Sequence, residues 1–384
     1  MKWKLQENAL VKEEIESLAE FIKTADRLTQ GSKVKEFEAE WSKWQGCKYS
    51  IFVNSGSSAN LVLLSAVKDY YNLDNTSEVI VPAVTWVTNI SPILQCGLKP
   101  VFVDINLEDL SFDYEELKKR ITDKTKAIFI THLLGFPANM EKIKNAIGEK
   151  DIVILEDCCE SHGAKYKNIK VGNFGLGSTF SFYWGHHMTT IEGGMISTNN
   201  EEFYKLCLLK RSHGLARELP MKYHEYYKDK YKDIDFKFLF LTDGFNVRST
   251  EINAFLGLKQ IKKLDAFIET RDNNYNMFLD VCRKYKDELI TIRVKGTSSL
   301  ALPFIFKEKR LKEPVEKKLN ELGVETRPII SGNLLKQPFL KKYHNESEFK
   351  NANLIHDNGF YIGNNQFVDG VRLKKLESIL DKLM

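Results

Sequence analysis

The first two-thirds of the chain alternates short apolar runs with helical stretches, and this rhythm constrains the fold more than any other feature. The runs fall at 49–53, 78–81, 99–103, 127–131, 152–156, 178–181 and 194–197. Most are apolar at successive positions rather than at every second one, as strands covered on both faces require. Between them lie helical patterns, such as 58–68 with Leu61, Leu64, Ala66 and Val67, and 114–121. Strand–helix alternation of this kind builds a doubly wound, mainly parallel α/β sheet. From about Thr250 the rhythm changes. Stretches 251–271 and 273–286 read as two long helices, with Leu256, Leu258, Ile261, Leu264 and Phe267 on one apolar face. The stretch 290–306 reads as strands, 313–322 as a helix and 371–383 as a closing amphipathic helix. The expected organisation is a large α/β domain with an N-terminal arm over 1–250 and a smaller α+β domain over 251–384, for which 384 residues suffice.

Composition narrows the function classes. The chain carries 56 Lys and Arg against 52 Asp and Glu, a formal charge of +4, with no clustered basic excess of the kind a nucleic-acid partner demands. No run of about 18 apolar residues exists, so no membrane span is expected. The charged start of the chain lacks the apolar core of a secretory signal. The six cysteines (Cys47, Cys96, Cys158, Cys159, Cys207 and Cys282) form no C-x-x-C pair, so neither a metal site nor a disulfide framework is expected. A cytoplasmic location follows as the simplest expectation. The stretch 221–240 interleaves Lys with Tyr and Phe. It reads as a platform that stacks on a nucleotide, as a surface insertion or as a subunit contact.

Chemistry-bearing residues gather where the predicted strands end, the place where open α/β sheets bind ligands. Asn54-Ser55-Gly56-Ser57-Ser58-Ala59-Asn60 follows one strand and opens an apolar helix, which suits an anion at a helix N-terminus. Trp86 follows Val81-Pro82 and offers an aromatic face. Glu156-Asp157 closes the apolar run 152–155. Ser181 precedes the segment Tyr183-Trp184-Gly185-His186-His187-Met188-Thr189-Thr190-Ile191-Glu192-Gly193-Gly194.

Taken in this order, the motifs resemble the fold type I, pyridoxal phosphate (PLP)-dependent family of DegT/DnrJ-type sugar aminotransferases and dehydratases acting on nucleotide-linked 4-keto sugars. The resemblance spans nearly the whole chain, from Gly31–Glu38 through Ser55-Gly56-Ser57, Val81–Trp86, Glu156-Asp157, Glu192-Gly193-Gly194 and Gly244–Arg248 to Arg327-Pro328. It implies an aspartate aminotransferase-like fold. It also implies phosphate contacts from Gly56, Ser57 and Ser181, ring stacking by Trp86, a pyridine-nitrogen partner in Asp157, and Glu160 near the cofactor hydroxyl. Asn246 would reach the phosphate of the neighbouring subunit's cofactor, so a homodimer with shared sites is implied. His213, Arg217 and Arg327 are implied substrate-binding residues.

The departure from the aminotransferase pattern is at position 186, where His stands in place of the Schiff-base lysine. Among lysine-less relatives, the segments Leu133–Gly135, Glu156–Ser161, Ser181–Gly194 and Arg327–Asn333 resemble the 3-dehydratase branch. That likeness implies a lyase-type enzyme in which His186 is the catalytic base. The cofactor would cycle between PLP and pyridoxamine phosphate (PMP), with L-glutamate as amino donor and ammonia released. The implied substrate is a nucleotide-linked 4-keto-6-deoxy sugar, GDP-4-keto-6-deoxy-D-mannose foremost, for a colitose-type 3,6-dideoxysugar of lipopolysaccharide O-antigen. An imidazole of ordinary pKa near 6.5 suits both proton removal and proton return. A second lysine-less branch carries an iron–sulfur cluster; scattered cysteines speak against one here. Two further readings stay open: an aminotransferase recruiting Lys165 or Lys167, and a non-catalytic relative.

Overall fold

The computed structural model describes residues 2–343 and 348–384. Its centre is a seven-stranded sheet formed by β1 (Tyr49–Val53), β2 (Glu78–Pro82), β3 (Lys99–Val103), β4 (Thr125–Thr131), β5 (Val153–Asp157), β8 (Gly177–Ser181) and β9 (Gly194–Thr198). A two-stranded hairpin, β6 (Lys165–Tyr166) and β7 (Ile169–Lys170), interrupts the series. The spatial order is β1-β9-β8-β5-β4-β2-β3. Pairings from β8 through β5, β4 and β2 to β3 are parallel, whereas β9 runs antiparallel to both of its neighbours. All seven expected strands are present, within two residues at each end.

Both faces of the sheet are covered, which explains the unalternating apolar runs. Ile51 and Val53 enter one hydrophobic cluster with Val62 and Leu63 of the helix Gly56–Tyr70, while Phe52 between them enters another with Phe37 and Trp41. In β4, Phe129 joins the first cluster and Ile128 and Ile130 a third. At the parallel end the strand C-termini open together toward one edge, where β5 finishes at Asp157 and β8 at Ser181.

The later part of the chain carries a second, three-stranded antiparallel sheet, ordered β10 (Ala301–Ile305), β12 (Gly359–Gly363) and β11 (Thr326–Arg327). Two expectations differ here. Strand structure over 290–306 is confined to β10, and the helices do not break near residue 272. The helix Glu251–Gln260 ends in a 3-10 turn at Ile261–Lys263, and the next helix runs unbroken over Leu264–Cys282. The polar run Arg271-Asp272-Asn273-Asn274 resembles a helix end, yet Arg271 and Asn274 are buried and bonded to Asn364. Helix Glu251–Gln260 packs on the helix Ser32–Gln45, and the Glu251 carboxylate accepts the N–H groups of Gly31, Lys33 and Val34 at 2.9 Å, capping that helix.

The stretch 221–240 folds as a short helix, His224–Lys230, between 3-10 turns at Met221–Tyr223 and Phe236–Phe238. It leaves Met221, Tyr226, Ile234, Phe238 and Phe240 exposed. The six cysteines are free thiols. Among the described residues no helix is long and apolar enough to cross a membrane.

Candidate active site

A cavity of about 510 Å3 lies at the C-terminal edge of the large sheet. It falls within the size range of small-molecule sites. Gly56, Ser57, Trp86, Asp157, Glu160, Ser181, His186 and Arg327 all line it.

One corner is built for an anion. Ser55 caps the helix Gly56–Tyr70 by accepting the Ser58 N–H at 3.1 Å. The Gly56 and Ser57 N–H groups belong to the first turn, whose amides have no helical acceptors. Ser57 is exposed to the cavity, and the Ser181 side chain faces it from the end of β8. Glycine is required around this corner for space. A Cβ on Gly56 would sit 2.6 Å from Ser181 Cβ, and one on Gly194 would sit 2.2 Å from the Ser55 carbonyl oxygen.

The two acids that end β5 part ways because successive strand residues face opposite sides. Glu156 points into the protein, where its oxygens accept the N–H groups of Gly172, Phe174 and Gly175 at 2.7–2.9 Å and lie 3.1 Å from His132 Nε2. Asp157 points into the cavity. Its Oδ2 accepts from Asn60 Nδ2 at 2.9 Å and its Oδ1 from the Cys159 N–H at 2.9 Å. A carboxylate held this way is a fixed acceptor for a protonated ring nitrogen.

Trp86 is 52 % exposed, although the loop carrying it is pinned. Thr85 Oγ1 is bonded to Asn89 Oδ1 at 2.9 Å and lies 2.7 Å from Thr131 Oγ1, and Ser331 Oγ donates to the Thr85 carbonyl at 2.7 Å. An indole that is open to the cavity on a fixed loop can cover a flat ring.

His186 sits on a turn closed by its N–H to the Tyr183 carbonyl at 3.0 Å. Its Nδ1 is buried without a hydrogen-bond partner. Burial, reinforced by the positive charge of Arg271, pulls its pKa down to about 4. The imidazole is therefore a neutral proton acceptor at neutral pH, further from an ordinary histidine than the sequence suggests. His187 is turned away and wholly buried, with Nε2 3.0 Å from both the carbonyl oxygen and Oγ of Ser298.

Glu160 accepts the Leu134 N–H at 2.8 Å, and burial raises its carboxyl to about 8. The Cys159 thiol, also on the cavity wall, is pushed up by burial and then by Asp157. Arg327, exposed at the register position facing Tyr361, makes no salt bridge among the described residues. Its guanidinium meets the Tyr361 hydroxyl and no carboxylate, which leaves its charge available to an anionic ligand.

Asn246, His213 and Arg217 do not line this cavity. All three are exposed on the surface, and a bridge between Ser212 and Asn246 joins their two segments. Lys165 and Lys167 lie on or beside the β6–β7 hairpin, with Lys167 bonded to Glu141, and among the described residues no lysine lines the cavity. Sequence reasoning missed Asn60, Thr88, Asn89, Tyr183 and Tyr361. Asn60 was visible as the polar residue one turn into an otherwise apolar helix.

The donor set fits a pyridoxal-type cofactor: an anion corner, a fixed carboxylate, an open indole and an imidazole on the cavity wall. Comparison with known proteins agrees. GDP-4-keto-6-deoxy-D-mannose 3-dehydratase of Escherichia coli O55:H7 (strain CB9615 / EPEC) is 40 % identical over 350 residues, covering 88 % of this chain and 89 % of that one. A solved E. coli GDP-4-keto-6-deoxy-D-mannose-3-dehydratase with bound hydrated PLP superposes with a TM-score of 0.91 at 36 % identity, covering 99 % of each chain. A second structure of such an enzyme, with a trapped PLP–glutamate geminal diamine, gives a TM-score of 0.90 at 34 % identity, covering 99 % of this chain and all of that one. The profile of the DegT/DnrJ/EryC1/StrS aminotransferase family matches residues 8–376, and the chain belongs to that family.

Proposed function

We propose that the chain is a PLP/PMP-dependent 3-dehydratase that removes the C3 hydroxyl of GDP-4-keto-6-deoxy-D-mannose, with L-glutamate as amino donor and release of ammonia. The product is a 3,6-dideoxy-4-keto sugar of the kind used in lipopolysaccharide O-antigen. One observation carries this reading: His186 faces a cavity that it shares with Gly56, Ser57, Trp86, Asp157, Glu160 and Ser181, and among the described residues no lysine lines it.

The cofactor supplies an electron-accepting ring and, in its amine form, a primary amine that captures the 4-keto group. The chain's residues do the rest. Gly56, Ser57 and Ser181 hold the phosphate. Asp157, fixed by Asn60 and Cys159, holds a proton on the pyridine nitrogen. Trp86 covers one ring face and excludes water from it. Glu160, carrying a proton, donates to the cofactor hydroxyl. Arg327 binds the carboxylate of glutamate in a fork geometry. His186 takes a proton at Nε2, the imidazole nitrogen left open to the cavity when Nδ1 is buried. It then returns that proton to the departing C3 oxygen.

The unit that acts is a homodimer. Asn246, His213 and Arg217 complete the partner's site from the surface strip they share. The exposed apolar side chains Met221, Phe238 and Phe240 nearby belong under a second copy rather than in water. Residues 1–250 form the cofactor lobe, and 251–384 the lobe that brings Arg327 and Tyr361 to the cavity. Six free thiols fit the reducing cytoplasm.

Borohydride treatment of the PLP-loaded protein tests the reading. No lysine adduct is expected in a peptide map. A reduced lysine would return the chain to aminotransferase chemistry, and failure to take up PLP would support a non-catalytic relative.

A further inference from the structure

Arg271 is wholly buried on the inner face of the helix Leu264–Cys282. A buried guanidinium normally meets a carboxylate, because desolvating an unpaired charge is costly. Among the described residues Arg271 has no salt-bridge partner. It gathers neutral oxygens instead. Nη1 donates to the carbonyls of Leu300, at 3.0 Å, and Asn364. Nη2 lies 3.4 Å from the His186 carbonyl and 3.4 Å from Gln6 Oε1. The Asn364 side chain returns a bond to the Arg271 carbonyl at 3.0 Å, which locks the fork. Two of the gathered carbonyls, those of His186 and Leu300, belong to residues on the cavity wall.

We infer that Arg271 is a positioning residue for the deoxygenation. It anchors the His186 peptide from the second lobe and places a cation behind the imidazole at neutral pH. This rests on His186 being the base. A weak fork bond to a backbone carbonyl fixes where the ring stands without occupying its nitrogens. The charge disfavours a second positive charge nearby, so the ring rests neutral, as a base must before it takes a proton.

Other groups face the ring. Tyr183 comes from its own turn, with ring centroids 6.2 Å away, and His162 stands 6.2 Å away on the buried side with His187 behind it. On the open side the cavity carries Asp157, Glu160, Glu192 and Arg327. The two histidines are themselves pushed far down, chiefly by burial, and so add no charge at neutral pH. Among the described residues Arg271 is the cation on the closed side; its own pKa, lowered by burial, stays at about 9.

The test compares Arg271→Met, Arg271→Lys and wild type in single-turnover deoxygenation from pH 5 to 9. It also includes 15N NMR of the His186 ring, assigned by difference with His186→Asn. Arg271→Met should move the acid limb of the rate upward by about one pH unit or more. Its rate at pH 8 should fall about tenfold through loss of alignment. Arg271→Lys should keep the wild-type limb yet lose rate at every pH. Wild-type His186 should titrate well below 6.5; if Arg271→Met does not fold, Arg271→Lys decides, its lower rate on an unshifted limb supporting the inference. A His186 that titrates near 6.5, or variants that lose stability while keeping the wild-type rate and limb, would overturn the inference. If His186→Asn itself stayed active, the base assignment would fall, not this inference alone.

Discussion

Asn60 Nδ2 donates to Asp157 Oδ2 at 2.9 Å, and Thr179 Oγ1 donates to Asn60 Oδ1 at 2.6 Å. The second bond fixes which way the amide faces, so its N–H must meet the carboxylate. Asn60→Leu keeps the volume and removes that donor. Cofactor affinity should fall by about tenfold, since leaving a buried charged acceptor short of a partner costs on the order of 1–3 kcal/mol. Spectrophotometric titration with PLP measures it. Asp157→Ala should lose binding altogether.

Gly194→Ala tests the anion corner without touching a ligand. The added Cβ would meet backbone, 2.2 Å from the Ser55 carbonyl oxygen and 2.6 Å from the Gly56 nitrogen, and neither can swing aside. We expect about 1–3 kcal/mol of lost stability, as for overpacking generally. PLP uptake should weaken as the corner is displaced. Thermal unfolding and the same titration report both.

The pH dependence of stability separates two cavity groups. The Glu160 carboxyl is raised by burial from 4.5 to about 8, so the folded state holds the proton longer. Its stabilising contribution is complete below pH 4.5 and is lost as pH rises through 8. Glu160→Gln carries no such dependence, so the apo variant should gain melting temperature over wild type between pH 5 and 9. His186 works in the opposite sense: its depressed pKa costs stability as pH falls from 6.5 toward 4. His186→Asn should flatten the acid side of the melting profile. Differential scanning fluorimetry of the three apoproteins checks both slopes.

The proposed sharing of sites between subunits makes a mixing prediction. Subunits carrying His186→Asn and subunits carrying Asn246→Ala should each be poorly active alone. In a hybrid dimer one site regains both groups and the other loses both. Unfolding and refolding an equal mixture should therefore restore about a quarter of wild-type activity if hybrids form statistically. No gain on mixing would place Asn246 outside the site.

Much of this architecture was legible in the sequence, for physical reasons that differ by element. Runs such as 127–131 declare themselves because both faces of β4 are buried, and the loops that follow such strands are where ligand groups must lie. The later third was harder to read. Arg271 and Asn274 look like a polar helix end, but they turn inward onto Asn364, which no periodicity rule anticipates. The stretch 290–300 is apolar enough for a strand, yet only Ala301–Ile305 finds partners in β12. Asn60 stood out as a polar residue one turn into its helix, but its role was hidden, because it depends on Asp157 and Thr179, 97 and 119 residues away. The lowered pKa of His186 was likewise invisible, being set by burial and by a cation on the helix Leu264–Cys282.

The central claim is that histidine in place of the Schiff-base lysine, amid retained cofactor groups, gives deoxygenation rather than amination. It is tested most directly by product analysis with purified protein, PLP, 15N-labelled glutamate and GDP-4-keto-6-deoxy-D-mannose. The account predicts one labelled ammonia released per sugar turned over and a nitrogen-free 3-deoxy product, both lost in His186→Asn. A 15N-labelled 4-amino sugar that keeps its C3 hydroxyl would contradict it.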